Sequence, residues 1–576
     1  MPIVRTPGVY VTELPAFPST IVGVATAIPA FIGYTETAAM NGKAVALQPI
    51  KITSLAEYQA VFGGAFRPVY DIVKAAPGAS FDFTTMMFDG TGFAASNYAL
   101  VRNTGGPAPL AGSQGPVSPS VAMPAFNLYD SMRLFYANGG GTCYVVSVGN
   151  YTAAGTIGVG ALLNGLDAIA KQAGPTMLVV PDAVHLPQSG AVNGMPTSSD
   201  FQKLIRAMLT QAGTLQDRVA LLDIYGTEAV DPKKPKTGSL DNDIDAVVRN
   251  FHVDVDIGDA FISYGAAYFP FLDTTVIAPQ EVTYLNFSPA PSGAGVGLAA
   301  LLTDQAAYTY GDPQHLGPSQ NKNPKFLKIK AMIDAMSTTT DRSTPAGLAA
   351  IATLEQNLVN GIPSSAGPFS LLQQIETMVC ARMSLLPPSG AMAGVCTHAD
   401  AAQGVWNAPA NIPLYSVDAP SVKLSDQQQS QINIPLDGKA VNAIREFIGR
   451  GPVVWGARTL DGNSSDWRYI QVRRTVIYVE QSIKIALNQY VFAANDANTW
   501  TTVVASVSQF LQTLWSQGGL MGDKASDAFT VTCGLGSTMT AQDILDGYMI
   551  VQVALQMIHP AEFIELTFKQ TMTGTS

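Results

Sequence analysis

Asp241, Asn242, Asp243 and Asp245 are spaced like the opening of a calcium-binding loop, where alternate side-chain oxygens surround a hard cation. Such a loop needs glycine at its sixth position for the sharp turn and glutamate at its twelfth for bidentate ligation. Ala246 and His252 stand there instead, so the spacing fails as an EF-hand. His252, Asp254 and Asp256 alternate with Val253, Val255 and Ile257; read as a strand, they share one face, either as metal ligands or as a solvated acidic face. Cys396 and His398 are two zinc-type ligands without a second pair nearby, and a buried thiol beside a polar loop accounts for them as well. The glycines at 293, 295 and 297 are followed by Leu298 and make no dinucleotide fingerprint. No nucleophile-elbow, zincin or phosphate-loop motif occurs, and the five histidines show no triad spacing. These patterns assign no catalytic, cofactor-binding or metal-binding residue.

Charge carries the remaining signal. The chain has 576 residues with 13% charged side chains, against about 25% in ordinary soluble domains, and its net charge is −11. An acidic chain is a poor partner for phosphate backbones, so nucleic acid is not expected as a direct ligand. No apolar run reaches the roughly 18 residues that span a bilayer, and prolines interrupt the one N-terminal candidate for a signal peptide. Four cysteines without a C-x-x-C spacing fit buried thiols kept reduced. Low charge on a non-membrane protein points to surface covered by other copies or partners, because interface cores are depleted in Lys, Glu and Asp. Locally, Arg468, Arg473, Arg474 and Lys484 cluster with only Asp466 and Glu480 between them. The cluster is either a docking face for an acidic partner or an ordinary solvated helix face.

The elements that would position these groups alternate. Ser131–Ala137 reads as helix, Cys143–Val148 as strand, Met177–Val180 as strand, Phe201–Gln211 as helix and Val219–Asp223 as strand. That order implies an α/β domain with a largely parallel sheet. Arg102–Pro124 reads as a flexible Gly/Pro/Ser-rich insertion. Towards the C-terminus, Val476, Val479, Ile483, Leu487 and Tyr490 recur at helical spacing, as do Val503, Val507, Phe510 and Leu514 before Gly518. Met549, Val551, Val553, Leu555 and Met557 alternate like a half-buried strand. Both ends of the chain read as strands without a partner: Val9, Tyr10, Val11 and Thr12 in a proline-rich start, and Ile564, Leu566 and Phe568 after His559-Pro560.

Four strings carry a family likeness. The opening Thr6-Pro7-Gly8-Val9-Tyr10-Val11-Thr12-Glu13 resembles the start of contractile tail sheath proteins. Leu386-Pro387-Pro388-Ser389-Gly390-Ala391-Met392-Ala393-Gly394-Val395, running on to Gly404-Val405-Trp406-Asn407, is similar to their most recognisable segment. Gly449-Arg450-Gly451-Pro452-Val453-Val454-Trp455-Gly456 and His559-Pro560-Ala561-Glu562-Phe563 resemble a third and a fourth, in the family's order.

The resemblance implies a multidomain α/β fold: a subtilisin-like α/β sheath domain with outer insertions and no protease activity, an α+β inner domain against a tube, and extended β-arms at both ends. Its expected boundaries here are an arm and first strand at 1–35, an N-terminal region at 36–170, the sheath domain at 171–430, the inner domain at 431–562 and a C-terminal arm at 563–576. Val9, Tyr10, Val11, Thr12, Ile564, Leu566 and Phe568 would exchange strands between subunits, and Arg473, Arg474 and Lys484 would face the tube. The implied partners are further copies in hexameric rings stacked helically, an inner tube protein, and baseplate and terminal cap proteins, with no cofactor and no membrane insertion. The implied setting is assembly in the bacterial cytoplasm, without a signal peptide, into a phage tail or an injection particle. Two other classes compete: a cryptic hydrolase on the subtilisin-like scaffold, and a surface-binding module using the Arg102–Pro124 insertion.

Overall fold

The structure is a computed structural model, and it describes residues 21–77, 81–102, 126–152, 156–233, 235–288, 295–311, 317–338, 345–361 and 368–565. Val9, Tyr10, Val11, Thr12, Leu566, Phe568 and nearly all of the Arg102–Pro124 insertion lie outside the described residues. The chain divides into two compact units. The larger comprises Ala27–His398 and Pro409–Ser464; the smaller comprises Met1–Thr26, Ala399–Ala408 and Ser465–Ser576.

An eight-stranded sheet organises the larger unit. Its strands are β1 (Pro29–Thr35), β2 (Ile50–Ile52), β3 (Cys143–Asn150), β4 (Met177–Val179), β5 (Val219–Leu222), β6 (Gly265–Phe269), β7 (Val441–Phe447) and β8 (Gly451–Val454), in the spatial order β8-β7-β6-β5-β4-β1-β3-β2. The six inner strands run parallel, and β2 and β8 close the two edges antiparallel. Phe31, Ile32, Val145, Val146, Leu178, Val179 and the whole of β5 are buried, as a parallel sheet covered on both faces requires. Helices α1 (Leu128–Ala137), α2 (Val159–Ala170) and α3 (Ser199–Leu215) pack on it, α3 opening with the Ser198 hydroxyl accepting from the Phe201 amide.

This sheet draws the domain boundaries differently from the expected ones. Residues 1–35, 36–170 and 171–430 all contribute strands to one sheet, β1 lying between β3 and β4, and β7 and β8 pair into it although they lie beyond 431. A parallel strand pairs with whichever strand its crossover delivers it to, so composition shifts along the chain do not mark the cut.

Helix α4 (Leu240–Asp254) overturns the strand expected at His252, Asp254 and Asp256. Ser239 caps it, and Ile244, Val247, Val248 and Phe251 are buried at helical spacing, which outweighs the short polar alternation at its end. The three side chains go separate ways. His252 Nδ1 meets Asp437 at 2.7 Å, Asp256 meets Lys439 at 3.2 Å, and burial pushes the Asp254 carboxyl up to about 7. Among the described residues no cluster of three His, Cys, Asp or Glu could hold a metal.

The glycine-rich string at 389–395 has a packing reason. It opens helix α5 (Ser389–Gln403), and a Cβ on Gly390 would lie 2.8 Å from the Ser131 carbonyl oxygen, one on Gly394 2.6 Å from that of Phe135. Only glycine at that i, i+4 spacing lets α5 approach α1 so closely. A second, antiparallel sheet is built from 70–74, 83–88, 93–102 and 295–296, accompanied by helices Leu298–Thr309, Pro324–Thr338, Pro345–Gly361 and Pro368–Met383. Among the described residues no helix is long and apolar enough to cross a membrane.

The smaller unit is built on helices α6 (Ile470–Leu487) and α7 (Ala497–Ser516) and a two-stranded antiparallel sheet of β9 (Phe529–Thr532) and β10 (Gln552–Leu555). Val479, Ile483, Val503, Val507, Leu511, Leu514 and Ile21 form its core.

Candidate functional site

Two places compete, one in each unit. In a doubly wound sheet, ligands bind beyond the carboxyl ends of the strands where the strand order reverses, here around β1. That crevice is filled from within. Asp182, just after β4, is fully buried and accepts the amides of Tyr34 at 2.8 Å, Asn127 at 2.7 Å and Leu128 at 3.1 Å. The Asn127 side-chain amide donates to His185 Nε2 at 2.9 Å, and burial drives the His185 pKa down to about 3. Beyond β5, Asp223 accepts the Ser389 amide at 2.8 Å and its hydroxyl at 2.5 Å, and burial pushes the Asp223 carboxyl up to about 7. Ser389 is 0% exposed. A serine nucleophile needs a base and a reachable oxygen; this hydroxyl is turned to a carboxyl group and shut away from solvent.

The smaller unit offers an open surface. Along β10 and the residues flanking it, Val551, Val553, Leu555 and Met557 are half-buried while Gln552, Ala554 and Gln556 are exposed, the expected alternation. Gln556 donates its amide to the Ala528 carbonyl at 2.8 Å and accepts the Met521 amide at 2.9 Å. Polar groups alternate sides along an antiparallel strand, so those of Val553 and Leu555 point away from β9. Among the described residues no strand pairs on that side. Beside this edge runs a groove of about 740 Å³, floored by Val472, Val476, Val479 and Ile483 of α6 and walled by the apolar row of β10. Asp466, Glu480, Lys484 and His559 stand on its rim. An unpaired strand edge beside an apolar helix stripe has the chemistry to accept one more extended segment. Backbone hydrogen bonds would hold that segment, and its alternate side chains would fill the groove.

The family model for the phage tail sheath C-terminal domain matches residues 463–571, the stretch that contains α6, α7, β9, β10 and the groove. That stretch resembles the tail sheath family. The chain is 26% identical over 264 residues to the tail sheath protein of Burkholderia phage BcepMu, a match covering 43% of this chain and 54% of that protein. With the tail sheath protein of Vibrio phage KVP40 it shares 23% over 189 residues, 33% of this chain and 27% of the other. The chain thus spans about half the length of the first relative and less of the second. Among solved structures, a chain of the anti-feeding prophage baseplate matches with TM-score 0.52 and 23% identity, covering 99% of this chain and 100% of that one. The sheath complex of an extracellular contractile injection system, PVC, in its contracted state matches with TM-score 0.51 and 22% identity over 99% of each chain. At these identities the likeness is one of fold, a mixed α/β multidomain architecture.

Within the smaller unit the basic cluster has a different arrangement from the one expected. Arg474 and Asp400 are buried, with side-chain exposures of 3% and 5%. Arg474 Nη1 meets Asp400 Oδ1 at 2.9 Å, Nη2 meets Oδ2 at 2.6 Å, and Nη2 also donates to the Thr26 carbonyl at 3.2 Å. One guanidinium fastens three chain segments of the smaller unit, from 21–26, 399–408 and α6. Arg473 is buried too, its guanidinium carbon 3.5 Å from the centroid of the Trp467 ring, and Trp467 lines the groove. Lys484 alone of the three is exposed, on the groove rim. Ile564, expected in a terminal strand, is 79% exposed and outside any strand. Sequence reasoning found the apolar rows of α6 and β10 but not that they face each other, because the facing depends on β9 and α7, which intervene in the chain.

Proposed function

We propose that this chain is a structural subunit of a contractile sheath that polymerises helically around an inner tube and contracts to drive the tube through a target envelope. The observation that carries the reading is the edge of β10 that no strand among the described residues pairs, beside its apolar groove. A subunit complete in itself would cover such an edge; a subunit of a mesh uses it to join its neighbours. The tail sheath relatives and the solved baseplate and contracted-sheath chains support the same reading, as does the low charge of the chain.

In this reading the arms around Val9–Thr12 and Ile564–Phe568 are the exchanged strands. Lys484 and the exposed surface near it face the tube, while Arg473 and Arg474 support that face from inside the domain. Copies stack as hexameric rings on a baseplate and end at a cap. The larger unit is read as the subtilisin-like sheath domain, with the second sheet and its helices as outer insertions. Backbone pairing between copies tolerates rotation of the domains it links, so the extended sheath is a metastable state whose release buries more surface between neighbours. Contraction then draws on stored conformational free energy and uses no nucleotide.

Co-expression with the tube protein and negative-stain microscopy of the product test this. Long tubes are expected from the full chain, and folded monomer without long tubes after deletion from Phe563 onward. Normal tubes after that deletion would remove the strand-exchange mechanism.

A further inference from the structure

We propose that a slot beside α4 takes the β7–β8 hairpin tip of a second copy, with Ile448 as the inserted side chain, so that larger units join head to tail. The contact presupposes the sheath-subunit reading and adds to the β10 edge a second junction, in the other unit.

The slot, of about 440 Å³, lies between α4 and the segment 431–437 that leads into β7. Ile244 and Val248 line it from the buried stripe of α4, and Ile434 and Leu436 form an exposed apolar lip. Asp245, Arg249 and Asp437 add charge to its lining. Arg249 is matched by Asp245 at 2.8 Å, and nearby Lys439 by Asp256 at 3.2 Å. His252 meets Asp437 through Nδ1, but burial lowers its pKa, so a neutral ring leaves the carboxylate charge in place. The slot is thus walled by apolar side chains and carries one uncompensated negative charge.

The hairpin tip has the opposite character. β7 and β8 pair from Ile444–Val454 to Phe447–Gly451, and the Arg450 amide closes the turn on the Phe447 carbonyl at 3.0 Å. Gly449 and Gly451 take φ of 77° and 70°, and the Phe447 ring lies 4.5 Å from that of Trp455, bracing the turn at its base. Ile448 projects from it. Ile448 and Leu436 are the most exposed large apolar side chains among the described residues. Arg445 is matched by Asp426 and Glu446 by Lys423, each at 2.7 Å. Arg450 bonds the Asn411 carbonyl at 3.2 Å and, among the described residues, pairs with no carboxylate.

Tip and slot complement each other, Ile448 against the apolar walls and Arg450 against Asp437. They do not meet within one copy. The slot lies just before β7 and the tip just after it, the strand between them is roughly 23 Å long, and Ile448 stands in solvent. A contact between two different patches of the same chain is heterologous, and it propagates as a helix unless its rotation closes a ring. A side chain on a braced turn loses little freedom on docking, which is how one apolar anchor comes to dominate an interface.

Cysteine cross-linking of the full chain with a short bismaleimide tests it. Ile448→Cys and Leu436→Cys alter exposed side chains, so both should keep the parent's urea midpoint. An equal mixture of the two single variants should give cross-linked dimers, and a chain carrying both a ladder of multimers. Either single variant alone should stay at the background set by the parent's own cysteines. Dimers from Ile448→Cys alone would mean that tip meets tip, and would overturn the proposal; so would a mixture without dimers. In the chain with its native cysteines, Ile448→Asp should raise the concentration needed for assembly about tenfold, and Arg450→Glu should weaken assembly more at low salt than at high. Unchanged assembly with Ile448→Asp counts against the contact. Long tubes from the doubly substituted chain without a ladder would sink the head-to-tail contact and leave the sheath reading standing. A ladder from a chain that forms no tubes would do the reverse.

Discussion

Replacing Arg474 by alanine should unfold the smaller unit more easily, and should do so regardless of salt. The guanidinium is 3% exposed and doubly bonded to an Asp400 carboxylate that is 5% exposed. Removing it leaves a buried carboxylate without its countercharge, a change that typically costs about 3–5 kcal/mol. At a urea dependence of about 2 kcal/mol per molar, the unfolding midpoint falls by roughly 2 M. Tryptophan fluorescence is a suitable probe, because Trp406, Trp467, Trp500 and Trp515 belong to this unit and Trp455 alone, of five, to the other. Asp400→Ala should be comparably damaging, since it strands the guanidinium instead. The double variant Arg474→Met with Asp400→Leu should recover most of the loss, because neither charge is then left alone. A surface docking arginine behaves otherwise: its loss costs less than about 1 kcal/mol, and salt screens what it contributes. If Arg474→Ala shifts the midpoint by only a few tenths molar, or if 1 M salt abolishes the difference from the parent chain, the buried clasp is wrong.

The same geometry sets three further outcomes. Val553→Asp puts a charge into the half-buried row of β10 and should leave monomer folded while abolishing tube formation, as read by sedimentation and microscopy. The Asp223 carboxyl is held up to about 7 by burial, against roughly 3.9 when unfolded. The folded larger unit therefore binds the extra proton, and its stability falls as pH rises from about 4 through 7; Asp223→Asn should flatten that slope in urea titrations at pH 5 and pH 8. Gly394→Val forces a side chain towards the Phe135 carbonyl, which a Cβ would already approach to 2.6 Å, and should destabilise the larger unit by about 1–3 kcal/mol in thermal or urea unfolding.

The alternation of strands and helices was legible because it is written locally. Parallel strands such as β5 are continuous apolar runs, and α3 announces itself by a serine cap and a three-to-four-residue spacing. The arginine pair was not legible, for a reason that applies to any charge cluster read along a chain. Arg474 finds its partner 74 residues earlier in sequence and a third contact at Thr26. A window around α6 contains only Asp466 and Glu480 as acids, so it shows uncompensated positive charge where the fold has already paired it. His252, Asp254 and Asp256 misled in the opposite sense. Their alternation suggested convergence on one face, whereas His252 ends the helix against Asp437 and Asp256, beyond it, meets Lys439, both far along the chain.

The groove joins the legible to the illegible. Its two walls were each readable, Val476 to Tyr490 as a helix stripe and Met549 to Met557 as a one-sided strand. What no local pattern could supply was that β9 covers only one edge of β10. That asymmetry is set by tertiary pairing, in which Gln556 turns both its backbone groups towards Ala528 and Met521 and thereby turns those of Val553 and Leu555 outward. A half-buried alternation in sequence is normally taken as one face on the core and one in water. Here the odd-numbered row faces α6 and is still half-exposed, because the space alongside it is empty of any described strand. Incomplete burial of a row whose pattern demands a core therefore supports the proposed reading of this face as a strand acceptor more directly than the charge distribution does.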